Sequence, residues 1–316
     1  MTNVRDALCQ GWFNAVSMTA MVVCCLVCFV AHALPRCAYG LSSSDDDAVL
    51  LAAREGACNA ACFYLFETPI LLCPWIKVAS VDAAAERAEW AKLHETLKTR
   101  PVFILANHTS FFDVLLFSVR CPVATLKKTR TLAKRGLFTA PIIGYINRSI
   151  GHFPVHFSGA KVGDFSVDKS AMGDVMAKVD AHVKGERCEG FGNGCLAFFP
   201  EGQINRVDPR TLQSFRRGMF RSAAQKDVAV WAWLVDGNPR TWPPEAAGGL
   251  PATVTHTLAP IAPDGVLALA AAKGVAVEPQ ALAELTQSLM QDELAKLLAR
   301  VDAAAPSAAS SKAKGE

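Results

Sequence analysis

Phe13–Leu34 reads FNAVSMTAMVVCCLVCFVAHAL and contains no Asp, Glu, Lys or Arg. A helix of roughly 20 residues crosses hydrocarbon about 30 Å thick, so this run can span a bilayer. A secretory signal is the rival reading, because Ala31-His32-Ala33 has the small-x-small pattern of a cleavage site. Signal cores usually run only about 7–15 residues, so a retained anchor over 13–34 is favoured. Its orientation stays open: Asp6 balances Arg5, and Asp45-Asp46-Asp47 follows Arg36. A second apolar stretch, Ala57–Val78, carries Glu67, Pro69 and Pro74. A charge and two helix breakers argue against a second simple span. An interfacial or re-entrant segment over 57–78 is expected instead, with a buried core helix as the alternative. Residues 1–79 are thus read as a membrane-anchoring helical region.

From residue 80 the pattern changes. Asp82–Lys98 reads as an amphipathic helix that Pro101 ends, and Val102–Leu105 as a short buried strand. Further strands are expected at Val123–Leu126, His152–Phe157, Cys195–Phe199, Val228–Val235 and Thr253–Leu258. Helices are expected around Val114–Val119, Thr131–Phe138, Lys169–Lys184, Arg217–Gln225 and Pro279–Val301. This alternation predicts an α/β domain over 80–302, a mixed, largely parallel sheet flanked by helices. Residues 303–316, rich in Ala, Ser and Lys, read as a disordered tail.

Charge and cysteine narrow the chemistry. The net charge is only +3, but no Asp or Glu falls between Val114 and Gly163, where Arg120, Lys127, Lys128, Arg130, Lys134, Arg135, Arg148 and Lys161 lie. Such a stretch suits phosphates, nucleotides or anionic headgroups, or is a solvated basic face. The eleven cysteines have no paired metal-type spacing; Cys25 and Cys28 form a C-x-x-C, but inside the apolar run with no partner pair nearby. They read as small hydrophobes, and no metal site is expected.

Directly after the strand Val102–Leu105 comes Ala106-Asn107-His108-Thr109-Ser110-Phe111-Phe112-Asp113. Functional residues of α/β sheets gather beyond the carboxyl ends of strands. An imidazole can take a proton from an alcohol while a carboxylate on its other nitrogen fixes the tautomer. Residues five apart lie about 140° apart round a helix, so a turn at His108–Ser110 is needed to bring His108 and Asp113 together. Ser110-x-x-Asp113 is equally a capping box, and both readings stand. A second strand ends in Phe198-Phe199-Pro200-Glu201-Gly202. Glu201 on that turn can accept a substrate hydroxyl or fix a backbone loop. The run Gly190–Gly194 precedes a strand, so it is a turn rather than a dinucleotide fingerprint. No G-x-S-x-G is present, so no nucleophile elbow is expected. Trp231, Trp233 and Trp242 are candidates for an acyl channel, the lipid interface or, more simply, the core.

Together the two motifs resemble the lysophosphatidate (1-acylglycerol-3-phosphate) acyltransferase family, which has N-H-x-x-x-x-D as its first block and F-P-E-G as its third. The similarity extends through Ala133-Lys134, Pro141-Ile142-Ile143-Gly144, Gly151–Phe157 and Phe215-Arg216-Arg217-Gly218, covering about Pro101–Leu258. It implies a membrane-bound enzyme of phospholipid biosynthesis that moves an acyl group from acyl-CoA to a lysophospholipid. The first acceptor it suggests is 1-acylglycerol-3-phosphate, giving phosphatidate. His108 is implied as the general base and Asp113 as its orienter. Asn107, Lys134, Glu201, Gly202 and Arg206 are implied as substrate-binding residues. Acyl-CoA is then a co-substrate and no cofactor is required. The expected partners are lipid substrates and a bilayer, with no nucleic acid, and the family suggests the endoplasmic reticulum. Three departures stand out: Phe157 occupies the place of an arginine, Gln203-Ile204-Asn205-Arg206 replaces Thr-Arg, and Ala229 and Ala232 replace prolines. Arg206, with Lys161, is the candidate for the displaced charge. These changes bear on the acceptor, so a larger headgroup such as lysophosphatidylcholine, or a non-catalytic lipid-binding role, are the alternatives.

Overall fold

A computed structural model describes residues 3–39, 48–158, 166–168, 170–186 and 192–304. Lys161, Gly190, Phe191 and residues 305–316 lie outside them. The first elements are two long helices, α1 (Val4–Tyr39) and α2 (Ala48–Leu71), then β1 (Ile76–Ser80), α3 (Ala83–Thr96), β2 (Val102–Ala106) and α4 (Phe112–Arg120). A single turn α5 (Val123–Leu126), β3 (Thr129–Lys134), another turn α6 (Gly136–Thr139) and α7 (Pro141–Ile150) follow. Three short strands come next, β4 (Phe153–Val155), β5 (Phe157–Ser158) and β6 (Ser166–Val167), then α8 (Gly173–Val183) and β7 (Cys195–Phe198). The chain closes with α9 (Gly218–Lys226), β8 (Ala229–Asp236), α10 (Asn238–Thr241), β9 (Ala252–Ala262), α11 (Val266–Lys273) and α12 (Pro279–Ala304).

Seven strands form one sheet in the order β1-β9-β8-β2-β7-β3-β4. β2 pairs in parallel with both β7 and β8, and β3 in parallel with β7 and β4. Only the β8–β9 pairing within this sheet is antiparallel. The expected mixed, largely parallel sheet is what forms. Helices cover both faces, so the central strands are apolar throughout rather than alternating. Along β2, Phe103 and Leu105 face one core with α8, α9 and α12, while Val102, Ile104 and Ala106 face a second with α3 and α4. Trp231 and Trp233, on β8, are buried in that second core.

Several expectations are corrected. Val123–Leu126 is one helical turn, because Pro122 stands at its N-cap and supplies helix-compatible φ without an N–H. Part of the expected helix Thr131–Phe138 belongs to β3, where the β-branched Thr129 and Thr131 suit a strand between β7 and β4. The helix over Pro141–Ile150 was not anticipated, although Pro141 opens it and Gly151, at φ +81°, caps it. Within the expected tail, residues 303–304 belong to α12.

The N-terminal region also differs. The expected span 13–34 lies inside α1, whose stretch Val4–Ala33 holds an 18-residue window of mean hydropathy 2.2 and is long and apolar enough to cross a membrane. The segment 57–78 is not a re-entrant unit: its first part completes α2 and its end enters β1, which pairs with β9. The division at residue 79 therefore cuts a strand of the catalytic sheet. Glu67 is tolerated because Arg120 of α4 pairs with it at 3.0 Å, and Pro69 lies in the last turn, where little of the helix ladder remains to break. Deeper in, Glu55 of α2 accepts from Arg130 of β3 at 2.9 Å, with both side chains buried. Gly151 leaves room for that carboxylate, since a Cβ there would meet it at 2.4 Å.

Removing one partner of a buried ion pair costs about 3–5 kcal/mol. Arg130→Met should lower the thermal unfolding midpoint of the detergent-solubilised protein accordingly, and Glu55→Leu added to it should recover part of the loss.

Candidate active site

The carboxyl ends of β2, β7, β8 and β3 lie along one edge of the sheet, and the expected site residues gather there. Beyond Ala106, the Asn107 amide donates to the Val235 carbonyl at 2.8 Å, and its oxygen accepts from the Val235 N–H at 2.9 Å. This side chain continues the β2–β8 pairing past the last strand residue. Asn107 was expected to bind substrate; its buried amide is instead taken up by the Val235 peptide.

His108 comes next and is held at its backbone from both sides. Its N–H donates to Glu201 Oε1 at 3.0 Å, and its carbonyl accepts from the Asn205 N–H at 2.6 Å. Glu201 Oε2 accepts from the Gln213 N–H at 2.9 Å. Glu201 is thus buried and bound to two peptides, so of the two roles open to it the structure realises the loop-fixing one. Burial pushes its carboxyl above the ordinary range, and the Gln213 and His108 N–H groups oppose that shift. Asn205 is a buried hub whose amide donates to the Asp208 and Thr211 carbonyls.

The imidazole is equally constrained. Phe199 stacks on it with ring centroids 3.9 Å apart and planes 14° apart. Nδ1 lies 2.9 Å from Asp113 Oδ2, and as a carboxylate only accepts, Nδ1 carries the proton. Nε2 is left as the nitrogen open to a substrate. Asp113 is fully buried, and its Oδ2 also accepts from the N–H groups of Thr109 at 2.8 Å and Ser110 at 3.0 Å. The capping reading and the orienting reading are therefore both realised by one carboxylate. Its Oδ1 accepts from Asn238 at the start of α10, a residue the sequence reading passed over. Gly237, at φ +89° and with no room for a Cβ beside the Thr253 carbonyl, makes the turn that delivers Asn238.

His108 opens onto a cavity of about 1680 Å³. One part is apolar, lined by Met21, Phe66, Val114, Leu115, Ile143 and Ile146. Another part is lined by Lys134, Arg206, Arg216, Arg217 and Arg221. Gly202 and Trp242 also line it. Arg206 is exposed and ion-paired with Glu245. His152 borders the cavity too; burial, with Arg130 and His182 nearby, lowers its pKa to about 3, so it is neutral there. Among the described residues no group of three or more His, Cys, Asp or Glu could hold a metal ion.

A half-buried imidazole on a buried carboxylate, at the carboxyl edge of an α/β sheet and open to a large cavity, can take a proton from a bound hydroxyl. Residues 90–234 match the family model described as Acyltransferase. Over 148 residues the chain is 26% identical to 1-acyl-sn-glycerol-3-phosphate acyltransferase LPAT1, chloroplastic, of Arabidopsis thaliana, a match covering 47% of this chain and 35% of that protein. The match thus spans about a third of that relative's length. The crystal structure of the 1-acyl-sn-glycerophosphate (LPA) acyltransferase PlsC from Thermotoga maritima superposes with a TM-score of 0.56 at 14% identity, covering 94% of this chain and 97% of that one. That likeness establishes a shared fold. Over residues 90–234 the chain is thus similar to the Acyltransferase family.

A misplacement of about 1 Å at a reacting group can cost 10²-fold in rate. Glu201→Ala releases the His108 N–H, so in an acyl-transfer assay kcat should fall by that order while KM for acceptor and donor changes little. A rise in acceptor KM at unchanged kcat would instead make Glu201 a substrate ligand.

Proposed function

We propose that this protein is a membrane-bound acyltransferase that moves a fatty acyl group from acyl-CoA to the free hydroxyl of a lysophospholipid, with 1-acylglycerol-3-phosphate as acceptor and phosphatidate as product. The observation that carries the proposal is the His108–Asp113 pair, with Nδ1 taken by a buried carboxylate and His108 bordering a cavity lined by both apolar and basic side chains. His108 Nε2 removes the proton from the acceptor hydroxyl, whose oxygen attacks the thioester carbonyl. The tetrahedral intermediate collapses, the C–S bond breaks, and the CoA sulfur takes the proton back from Nε2. Asp113 holds the tautomer throughout and stabilises the imidazolium that forms. No covalent acyl-enzyme is needed, because the substrate supplies the nucleophile.

Membrane attachment is supported by α1, which presents exposed Leu8, Trp12, Val22, Leu26, Phe29 and Val30 along its outer side. The family suggests the endoplasmic reticulum, whereas the relative named above is chloroplastic. A larger-headgroup acceptor is the second reading, favoured by Phe157 standing where the family has an arginine.

General-base catalysis contributes roughly 10²–10⁴ in rate. His108→Ala should lose that factor with an unchanged unfolding midpoint; a folded variant of undiminished activity would overturn the assignment. A panel of lysophosphatidate, lysophosphatidylcholine and monoacylglycerol, assayed with acyl-CoA, tells the acceptor readings apart. A wild-type protein that binds these lipids and acylates none of them would be a lipid-binding relative.

A further inference from the structure

The positive charge in the cavity is not evenly available. Arg206 is already partnered by Glu245. Arg216, Arg217 and Arg221 also line the cavity, are exposed, and have no ion-pair partner among the described residues. The carboxylate that borders them, Asp180, is taken by Lys226 at 2.7 Å and by the Ser222 hydroxyl at 3.0 Å. Glu278 lies on the cavity wall as well. Arg217 is the N-cap of α9 and Arg221 lies in its first turn.

Arg216 is tied to the turn that holds His108. Its N–H donates to the Pro200 carbonyl at 2.8 Å. Its side chain lies across Gly202, where a Cβ would come within 3.1 Å of Arg216 Cγ and 3.4 Å of Nε. Gly202, at φ +75°, is thus both the residue the turn needs and the bare surface on which the arginine rests. The same three-residue turn carries Glu201, which holds the His108 N–H. A group gripped by Arg216 is thereby set at a fixed offset from the imidazole. Guanidinium groups that line one cavity without an ion-pair partner among the described residues repel one another, and an anion with several oxygens relieves that repulsion while accepting bidentate hydrogen bonds.

We propose that Arg216, with Arg217 and Arg221 beside it, is the phosphate-binding site of this cavity, taking the charge role the sequence reading gave to Arg206. It rests on the acyl-transfer reading above. The phosphate oxygens come either from the acceptor's phosphomonoester or from the phosphates of acyl-CoA, and substrate pairs lacking one or both separate these sources.

The test uses full-length protein in mixed micelles, wild type against Arg216→Gln and Arg217→Gln/Arg221→Gln. Each is assayed with lysophosphatidate or monoacylglycerol as acceptor, and with acyl-CoA or the acyl thioester of N-acetylcysteamine as donor. The expected result is a tenfold or greater rise in KM for the phosphate-bearing substrate and an unchanged kcat/KM for the pair with no phosphate. A rise confined to lysophosphatidate assigns the site to the acceptor, and one confined to acyl-CoA assigns it to the donor. An equal loss over all four pairs overturns the proposal. A second readout is independent of turnover: inorganic pyrophosphate should raise the unfolding midpoint of wild type and of His108→Ala, but not that of Arg216→Gln. An equal rise in all three also overturns it. Failure of His108→Ala to lose activity would sink the catalytic reading and leave this binding result standing.

Discussion

The fully buried carboxylate of Asp113 organises the site. A charge taken out of water is tolerated only when hydrogen bonds replace its solvation. Here the imidazole of His108 and the N–H groups of Thr109 and Ser110 converge on one oxygen, and the Asn238 amide addresses the other. Three of these donors come from the turn leading into α4 and the fourth from the start of α10, just past β8. The turn cannot relax, and β8 cannot shift against β2, without stranding a buried charge. The orientation of the imidazole is therefore set by the same bonds that fix the local fold.

A second set of constraints acts on the backbone of His108. Glu201 and Asn205, both from the segment after β7, hold its N–H and its carbonyl, while Phe199 from that segment covers the ring. Neighbouring parallel strands deliver these groups to one edge, as β2 pairs with β7 on one side and β8 on the other. The turns following them thus meet in space although they are far apart in the chain.

The two long helices are part of this machinery rather than a separate anchor. Phe13 of α1 packs against Phe112 and Trp242. Buried or half-buried ion pairs tie α2 to β3 and α4. Residues of both helices line the cavity onto which His108 opens. On α1 an exposed apolar outer side and a share of the cavity wall thus belong to one element.

Local pattern carried much of this. The apolar runs at Val102–Leu105, Cys195–Phe199 and Val228–Val235 marked the central strands, because burial on both faces leaves no polar positions to blur them. The spacing of His108 and Asp113 left a helix cap and a catalytic pair both open, and the place after a strand with the Phe199–Gly202 turn downstream favoured the pair. Val123–Leu126 was misread because four apolar residues suit one helical turn as well as a strand, and only packing chooses between them. Tertiary structure alone decided what the remaining polar side chains do. Asn107 and Glu201 face peptides of β8 and of the segment ending at Gln213, Asn238 reaches Asp113 from far along the chain, and Arg216 finds its seat on Gly202. Periodicity and spacing report local geometry, whereas a hydrogen-bond partner is chosen by whichever distant segment the sheet order brings alongside. The sequence by itself therefore determined the fold class and the His108–Asp113 pair, and the strand order determined which neighbours hold that pair and where the free positive charge lies.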